Sequence, residues 1–326
     1  MRGSLFLVLA LAGCTGATAP LDTDADTDTD VVDTDPPTPV DTDGDGVFDD
    51  VDNCVQVPNA NQADLDGDLL GDLCDTDRDG DNIPDEFDIR PEDGLQPGTA
   101  LPDTVYAHTE DTLYAFDTTT YATTQIGLFD VVGQVTDIAI DRYGVLYVIT
   151  FDDLYICNPT DASCFPLGEL QASSNGLTFL PQGTLQADRD SLVGISQEGD
   201  WSLLTVSNGE VTATAVGGYG PDFTSSGDVF SILGVGTYAA IDPTLGGDDS
   251  IVEVDPSTGA ILQTIVTVPY TSIWGIAGWD DQIFAFDETG DILAVDPANG
   301  TYTVVVSDGT PWWGAGVQTE ISQPTF

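Results

Sequence analysis

The chain has 326 residues, 41% of them hydrophobic, and a formal charge of −52 at pH 7, with 57 acids set against five arginines and no lysine. Such a surface repels nucleic acid and anionic lipid and attracts cations, so nucleic acid is not an expected partner. Without lysine there is no Schiff-base chemistry, and the single histidine, His108, leaves one place around which a Ser-His-Asp triad can be built and no His-ligated zinc site.

Residues 1–13 combine a positive charge at Arg2, an apolar run from Leu5 to Ala12 and small residues ahead of Cys14. This is the make-up of a secretory signal peptide, too short to span a bilayer. Leu11-Ala12-Gly13-Cys14 resembles a bacterial lipobox, which implies cleavage before Cys14, acylation of that residue and a membrane anchor of several chains. Thr15 after the cysteine, rather than Asp, implies an outer-membrane or cell-surface address. Residues 14–40 alternate Asp and Thr from Asp22 to Asp30 and then place Pro36, Pro37 and Pro39, the composition of a disordered, extended acidic linker.

From Asp41 the aspartates fall into one register three times. Asp41, Asp43, Asp45, Asp49 and Asp52 occupy positions 1, 3, 5, 9 and 12 of a twelve-residue loop; Asp64, Asp66, Asp68, Asp72 and Asp75 repeat it, as do Asp77, Asp79, Asp81, Asp85 and Asp88. Calcium takes six to eight hard oxygens, and side chains at these positions plus the backbone carbonyl at position 7 (Val47, Leu70, Ile83) suit it. Position 6 wants a residue tolerant of positive φ; Gly46 and Asn82 supply it, while Leu69 makes the second loop the least regular. An EF-hand is excluded, because position 12 is Asp rather than Glu and the flanks show no helical apolar period. Residues 22–93 hold 26 of the acids against Arg78 and Arg90, a load that bound calcium would partly neutralise.

The stretches DTDGDGVFDDVDNC, NANQADLDGDLLGDLCD and DTDRDGDNIPDEFD resemble thrombospondin type 3 repeats over residues 41–93, with loop starts 23 and 13 residues apart. The resemblance implies segments with little hydrophobic core, folded around calcium and joined by disulfides, with Cys54 and Cys74 at the family's bonded positions. Val55 stands where the family usually has proline. A Cys54–Cys74 bridge would contribute about 3 kcal/mol on the chain-entropy model. With Cys14 consumed by lipid, the even remainder suits an exported protein, and Cys157 and Cys164, flanking a turn-rich connection, are expected to bridge two strands.

Residues 101–326 read as all-β. Runs such as 145–149, 250–254 and 282–286 are β-branched or aromatic, and turns of the Asp-Pro-x-x-Gly kind recur at Asp255 and Asp296, with Asn158-Pro159-Thr160-Asp161 a variant. Aligned on these turns, units begin near Thr136, Asn175, Gly227, Trp274 and Trp313, about 40 to 50 residues apart, the length of a four-stranded propeller blade. Residues 105–129 supply three strands, and 313–317 are placed to donate the fourth, closing a ring of about five blades, with a degenerate sixth between Gly183 and Ser226 as the alternative. The domain resembles YVTN, NHL and quinoprotein-like propellers in its strand and turn grammar.

Arg142 and Arg189 are too few for a sialidase-like carboxylate clamp. The enzyme class that survives is a calcium-dependent lactonase holding its metal with Asp137, Asn175 and Asp228 near the axis; the alternative for these three is capping of the inner strands. His108 is expected to be structural, and no catalytic residue is assigned. Trp274 and Trp313, with Trp279 and Trp312, are candidates for a stacking platform for an extracellular protein or glycan at one channel mouth, or else for packing between blades.

Overall fold

A computed structural model describes residues 39–321 except 82, 86, 87, 89, 95, 96 and 208. The signal peptide, Cys14, the linker to residue 38 and Asn82 lie outside the described residues. Twenty strands form five four-stranded antiparallel sheets and, among the described residues, no helix occurs.

The first sheet holds β1 (Val105–His108), β2 (Thr112–Phe116), β3 (Thr123–Leu128) and, from the other end of the chain, β20 (Gly314–Gly316). The second holds β4 (Val135–Ile140), β5 (Leu146–Thr150), β6 (Asp153–Cys157) and β7 (Cys164–Glu169). The third runs β8 (Gly176–Leu180), β9 (Ser191–Ile195), β10 (Asp200–Ser207) and β11 (Glu210–Gly218). The fourth is β12 (Phe223–Ile232), β13 (Gly236–Pro243), β14 (Ser250–Val254) and β15 (Ile261–Thr267), and the fifth β16 (Ile273–Trp279), β17 (Gln282–Asp287), β18 (Asp291–Asp296) and β19 (Thr301–Ser307). The innermost strands β20, β4, β8, β12 and β16 touch in a closed cycle, so the fold is a five-bladed propeller. The stretch from Gly183 to Ser226 belongs to the third and fourth blades rather than to a sixth; the long hairpin β10–β11 accounts for its extra length.

Burial explains the residue choice. Strands β4 and β8 are buried on both faces and read as continuous apolar runs, whereas the outer strands β3, β7, β15 and β19 alternate and face solvent on one side. Ring closure rests on β20, which pairs with β1 through Gly316↔Tyr106 and Gly314↔His108 and removes the edge that β1 would otherwise expose. The chain then runs along the far end of the ring, where Gln318 bridges Ile140, Thr319 Oγ1 donates to Asp190 Oδ2 (2.6 Å) and Glu320 meets Arg142 (3.4 Å).

The recurring turns share one geometry. Asp255, Asp296 and Asn158 each accept a backbone N–H two residues on at 2.8–2.9 Å, and the fifth residue, Gly259, Gly300 or Ala162, has positive φ. Both expected disulfides form, Cys54–Cys74 and, across the β6–β7 pair, Cys157–Cys164.

Candidate functional site

The three Asp loops share one bonding frame. In the first two the side chain at position 1 accepts the N–H of position 4 (Gly44, Gly67) and of position 6 (Gly46, Leu69), in the third the Gly80 N–H goes to the Asp77 carbonyl (3.1 Å), and in all three position 5 accepts the N–H of position 7 at 2.7–2.8 Å. The N–H of position 9 reaches back to the carbonyl just before position 1 in all three. These bonds draw carboxylate oxygens of Asp41, Asp43 and Asp45 within 4.8 Å of one another, and do the same for Asp64, Asp66 and Asp68 and for Asp77, Asp79 and Asp81. Position 12 joins them electrostatically, since Asp52, Asp75 and Asp88 act on Asp43, Asp66 and Asp81 respectively.

Position 9 is used differently from the other four. Asp49, Asp72 and Asp85 accept the N–H of position 2 (2.8, 2.8 and 3.1 Å), and the second oxygens of Asp49 and Asp85 take Thr42 Oγ1 and Arg78 Nε. These carboxylates clip the loop shut through their bonds to position 2. A second feature absent from the sequence reading is position 4, where Gly44, Gly67 and Gly80 all have φ between +70° and +82°. The visible signal was the glycine in each Asp-x-Asp-Gly-Asp. At position 6 Gly46 has φ +97°, and Leu69 is forced to +82° with its side chain 82% exposed.

Crowded like charges leave these loops short of positive charge. Burial, then the neighbouring carboxylates of Asp79, Asp88 and Asp77, push Asp81 up to about 6. Asp43 is raised by desolvation and by Asp45, Asp52 and Asp41. Asp43 Oδ2, Asp52 Oδ2, Asp81 Oδ2 and Asp88 Oδ2 are buried with no hydrogen-bond partner. A hard divalent cation supplies what four such oxygens lack, so the residues fit calcium.

Ile83, singled out for its carbonyl, has a second role. Its side chain is fully buried against Val145 and Ile156 of the second blade, with Tyr143, Tyr147 and Leu167 around it, while Arg90 stacks over Phe165 at 4.5 Å. The third loop is thereby seated on the propeller. The first two loops carry their apolar side chains outward, Phe48, Val51, Leu65 and Leu73 all being exposed.

At the propeller axis two rings of residues lie one above the other. The outer ring is Thr136, Asn175, Gly227, Trp274 and Trp313, the residues at which the repeat units were expected to start, and all five line an open cavity of about 610 Å³ at one mouth. The next ring inward is Asp137, Gly176, Asp228, Gly275 and Gly314. Asn175 is thus not equivalent to Asp137 and Asp228, because the repeat places it one residue earlier. Its Oδ1 is buried without a partner, and it belongs to the mouth.

The inner ring is a seal. The five residues that follow it, Ile138, Leu177, Val229, Ile276 and Ala315, aim their N–H groups at two carboxylates. Asp137 accepts from Ile138 (2.8 Å) and Leu177 (2.6 Å); Asp228 accepts from Val229 (2.6 Å), Ile276 (2.8 Å) and Ala315 (3.1 Å). Three glycines make room for two acids: a Cβ on Gly275 would meet the Gly314 carbonyl carbon at 2.7 Å, and one on Gly314 would strike His108 and Asp137. Burial raises Asp137 and Asp228 alike well above the ordinary carboxylate range, and the Asp228 charge adds to the rise at Asp137. Asp228 takes three N–H bonds against two for Asp137, which favours the charge on Asp228 and the proton on Asp137. His108 is fully buried behind Gly314, its Nδ1 2.8 Å from the Thr109 carbonyl and its Nε2 3.9 Å from Asp137. Burial lowers it to about 4, so it is neutral at pH 7.

Trp274 and Trp313 meet edge to face at 5.4 Å within the mouth. Their expected companions are elsewhere: Trp312 is fully buried between blades against Tyr114 and Phe286, and Trp279 ends β16 at the far side. Both pack against the largest core cluster instead of lining the channel.

The thrombospondin type 3 repeat family matches residues 63–94. Cartilage oligomeric matrix protein is 58% identical over 40 residues in Mus musculus and 60% identical over 35 residues in Homo sapiens, covering 12% and 11% of this chain. The chain spans only 5% of the length of these relatives. Among solved structures, BamB from Moraxella catarrhalis aligns at 16% identity and a TM-score of 0.32, covering 63% of this chain and 62% of that one. The propeller domain of Myceliophteria thermophila Cps50 (Swd1) aligns at 11% identity and 0.35, covering 64% and 70%. The propeller assignment therefore stands on the strand pairing itself. Residues 63–94 are a thrombospondin type 3 repeat segment, and the protein joins calcium-binding repeats of this type to a five-bladed β-propeller.

Proposed function

We propose that the chain is a surface lipoprotein, anchored through Cys14, whose calcium-loaded repeats carry a non-catalytic propeller that binds an extracellular ligand at its Trp274–Trp313 mouth. One observation carries the non-catalytic reading: the axial carboxylates a metal-dependent lactonase would use are fully buried, and all five strand N–H groups at the axis are bonded to them. A catalytic metal needs open ligand positions, and here only Asn175 of the three candidates reaches the cavity. Support for binding comes from the same end of the ring, where two indoles, Phe151 and a rim of Ser, Thr, Asn and Gln surround about 610 Å³.

The reading is tested with purified, calcium-loaded protein. Ligands drawn from sugars, amino sugars and short peptides are expected to perturb tryptophan emission and to lose that effect in Trp274→Ala, while a lactone panel is not turned over. Lactone hydrolysis abolished by Asp228→Asn would overturn it. Membrane attachment is checked separately: Cys14→Ser is expected to abolish acylation and release the protein from membranes, and continued acylation of that variant refutes the anchor.

A further inference from the structure

The mouth has an unbalanced chemistry. Its charged lining residues are Glu198 and Asp242, with no basic side chain among them. Asn175 Oδ1 and Asp242 Oδ1 are buried acceptor atoms without partners. Next to them, Asp249 is 1% exposed; its Oδ2 accepts from Ser226 Oγ (2.7 Å) and the Ile273 N–H (2.8 Å), and its Oδ1 is likewise buried and unpartnered. Oxygens of this kind need N–H or O–H donors from whatever fills the space, and an unpaired buried acceptor is costly until they arrive. The described arginines are engaged elsewhere: Arg78 with Asp85, Arg90 over Phe165, Arg142 with Asp190 and Arg189 with Asp188. Meanwhile the Trp274–Trp313 pair and Phe151, 46% exposed, supply aromatic faces, whose quadrupoles attract cations. An anionic ligand would meet both the local carboxylates and the charge of the whole chain.

We propose that the mouth takes an organic cation, a primary ammonium group on a small polar body, with Glu198 and Asp242 balancing its charge, Asn175 accepting from it and the two indoles enclosing it. This assignment rests on the mouth being the binding site. The chemistry is shared by a lysine side chain and an amino sugar, and the test separates the two.

Calcium-loaded full-length protein is titrated by calorimetry and tryptophan emission with Nα-acetyl-lysine methylamide and its Nε-acetylated form, and with glucosamine, glucose and glucuronate. Saturable binding of at least one amine is expected, about tenfold or more tighter than its uncharged counterpart. Asp242→Asn and Trp274→Ala should each weaken it about tenfold, and the exposed Glu198→Gln, which leaves the propeller folded by circular dichroism, a few-fold. Preference for the lysine compound identifies a polypeptide side chain, and preference for glucosamine an amino sugar. Equal affinity for glucose and glucosamine, or affinity unchanged in both acid variants, overturns the charge assignment and leaves the mouth a binding site. Silence of every compound removes that assignment and the binding reading with it.

Discussion

Replacing Asp228 with asparagine tests the axial seal. The carboxylate accepts three buried N–H groups, and an amide has only one acceptor oxygen. With that oxygen placed for Ile276 and Ala315, the Val229 N–H faces an NH₂ group; turned round, two N–H groups are stranded. One orphaned buried donor costs about 1–3 kcal/mol, and the surviving bonds lose their charge assistance at roughly 1 kcal/mol, partly offset because no charge is then buried. The net expectation is a loss of about 3 kcal/mol. Asp137→Asn is the internal control. If Asp137 is already the neutral partner, its amide takes over donation to Asp228 and forfeits one acceptor contact, for about 1 kcal/mol. Urea unfolding of the calcium-loaded protein, followed by tryptophan emission at constant m, reads the difference. Melting temperatures should fall by roughly 6–12 °C and 2–4 °C respectively. A larger loss at Asp137 would place the proton on the other acid, equal losses would refute a preference for either, and no loss in either would refute the seal.

Calcium titration of the metal-free chain is expected to take up three ions and compact residues 41–93, with Asp81→Asn removing one ion; an unchanged hydrodynamic radius and no uptake would contradict the loop geometry. Leu69→Gly should tighten the second site about fivefold by calorimetry, since it relieves a left-handed leucine worth about 1 kcal/mol and gives up no packing; weaker binding would mean the strain is not stored there. Ile83→Ala should unseat the third loop, raising hydrogen exchange across residues 76–93 while β16–β19 stay protected, and unchanged exchange would mean that the buried contact does not hold it. Stability should also fall as pH rises from about 4 to 7, the raised carboxyls of Asp249 and Asp141 outweighing His108, whose lowering to about 4 acts in the opposite direction below about pH 6.5. Burial raises Asp249 to about 6 and Asp141 to about 7. Folded values above the unfolded one mean that protons favour the native state, fully below pH 4 and progressively less up to pH 7. Asp141→Asn should flatten the upper part of the melting-temperature profile, and a profile that rises with pH would refute this.

How much of this was legible beforehand follows from the range of the interactions involved. Within each Asp loop the closing bonds span nine residues or fewer, such as Thr42 to Asp49 and Leu65 to Asp72, so register and positive-φ turns are written locally, whereas the cysteines, 20 residues apart, were placed by the resemblance. The blade units were equally readable, because burial on both faces imposes apolar strands and tight turns impose Asp, Pro and Gly at fixed distances. The split first blade followed from counting strands. Trp312 was misplaced because an indole before a strand reads the same whether it faces the channel or the next blade. Asn175 was misplaced although the unit starts at Thr136, Asn175 and Gly227 already set it one residue ahead of Asp137 and Asp228; residue type was followed there instead of register.

What the sequence alone determined is therefore the set of parts: three acidic loops, strand units of blade length and a terminal strand to close them. Tertiary structure alone decided that Asp137 and Asp228 seal the axis and that Ile83 seats the third loop on the second blade. The axial bonds join residues 40, 48 and 87 positions apart, through backbone N–H groups that every sequence carries alike. Only ring closure brings five of them to one point, and only there do two carboxylates become the acceptors for all five.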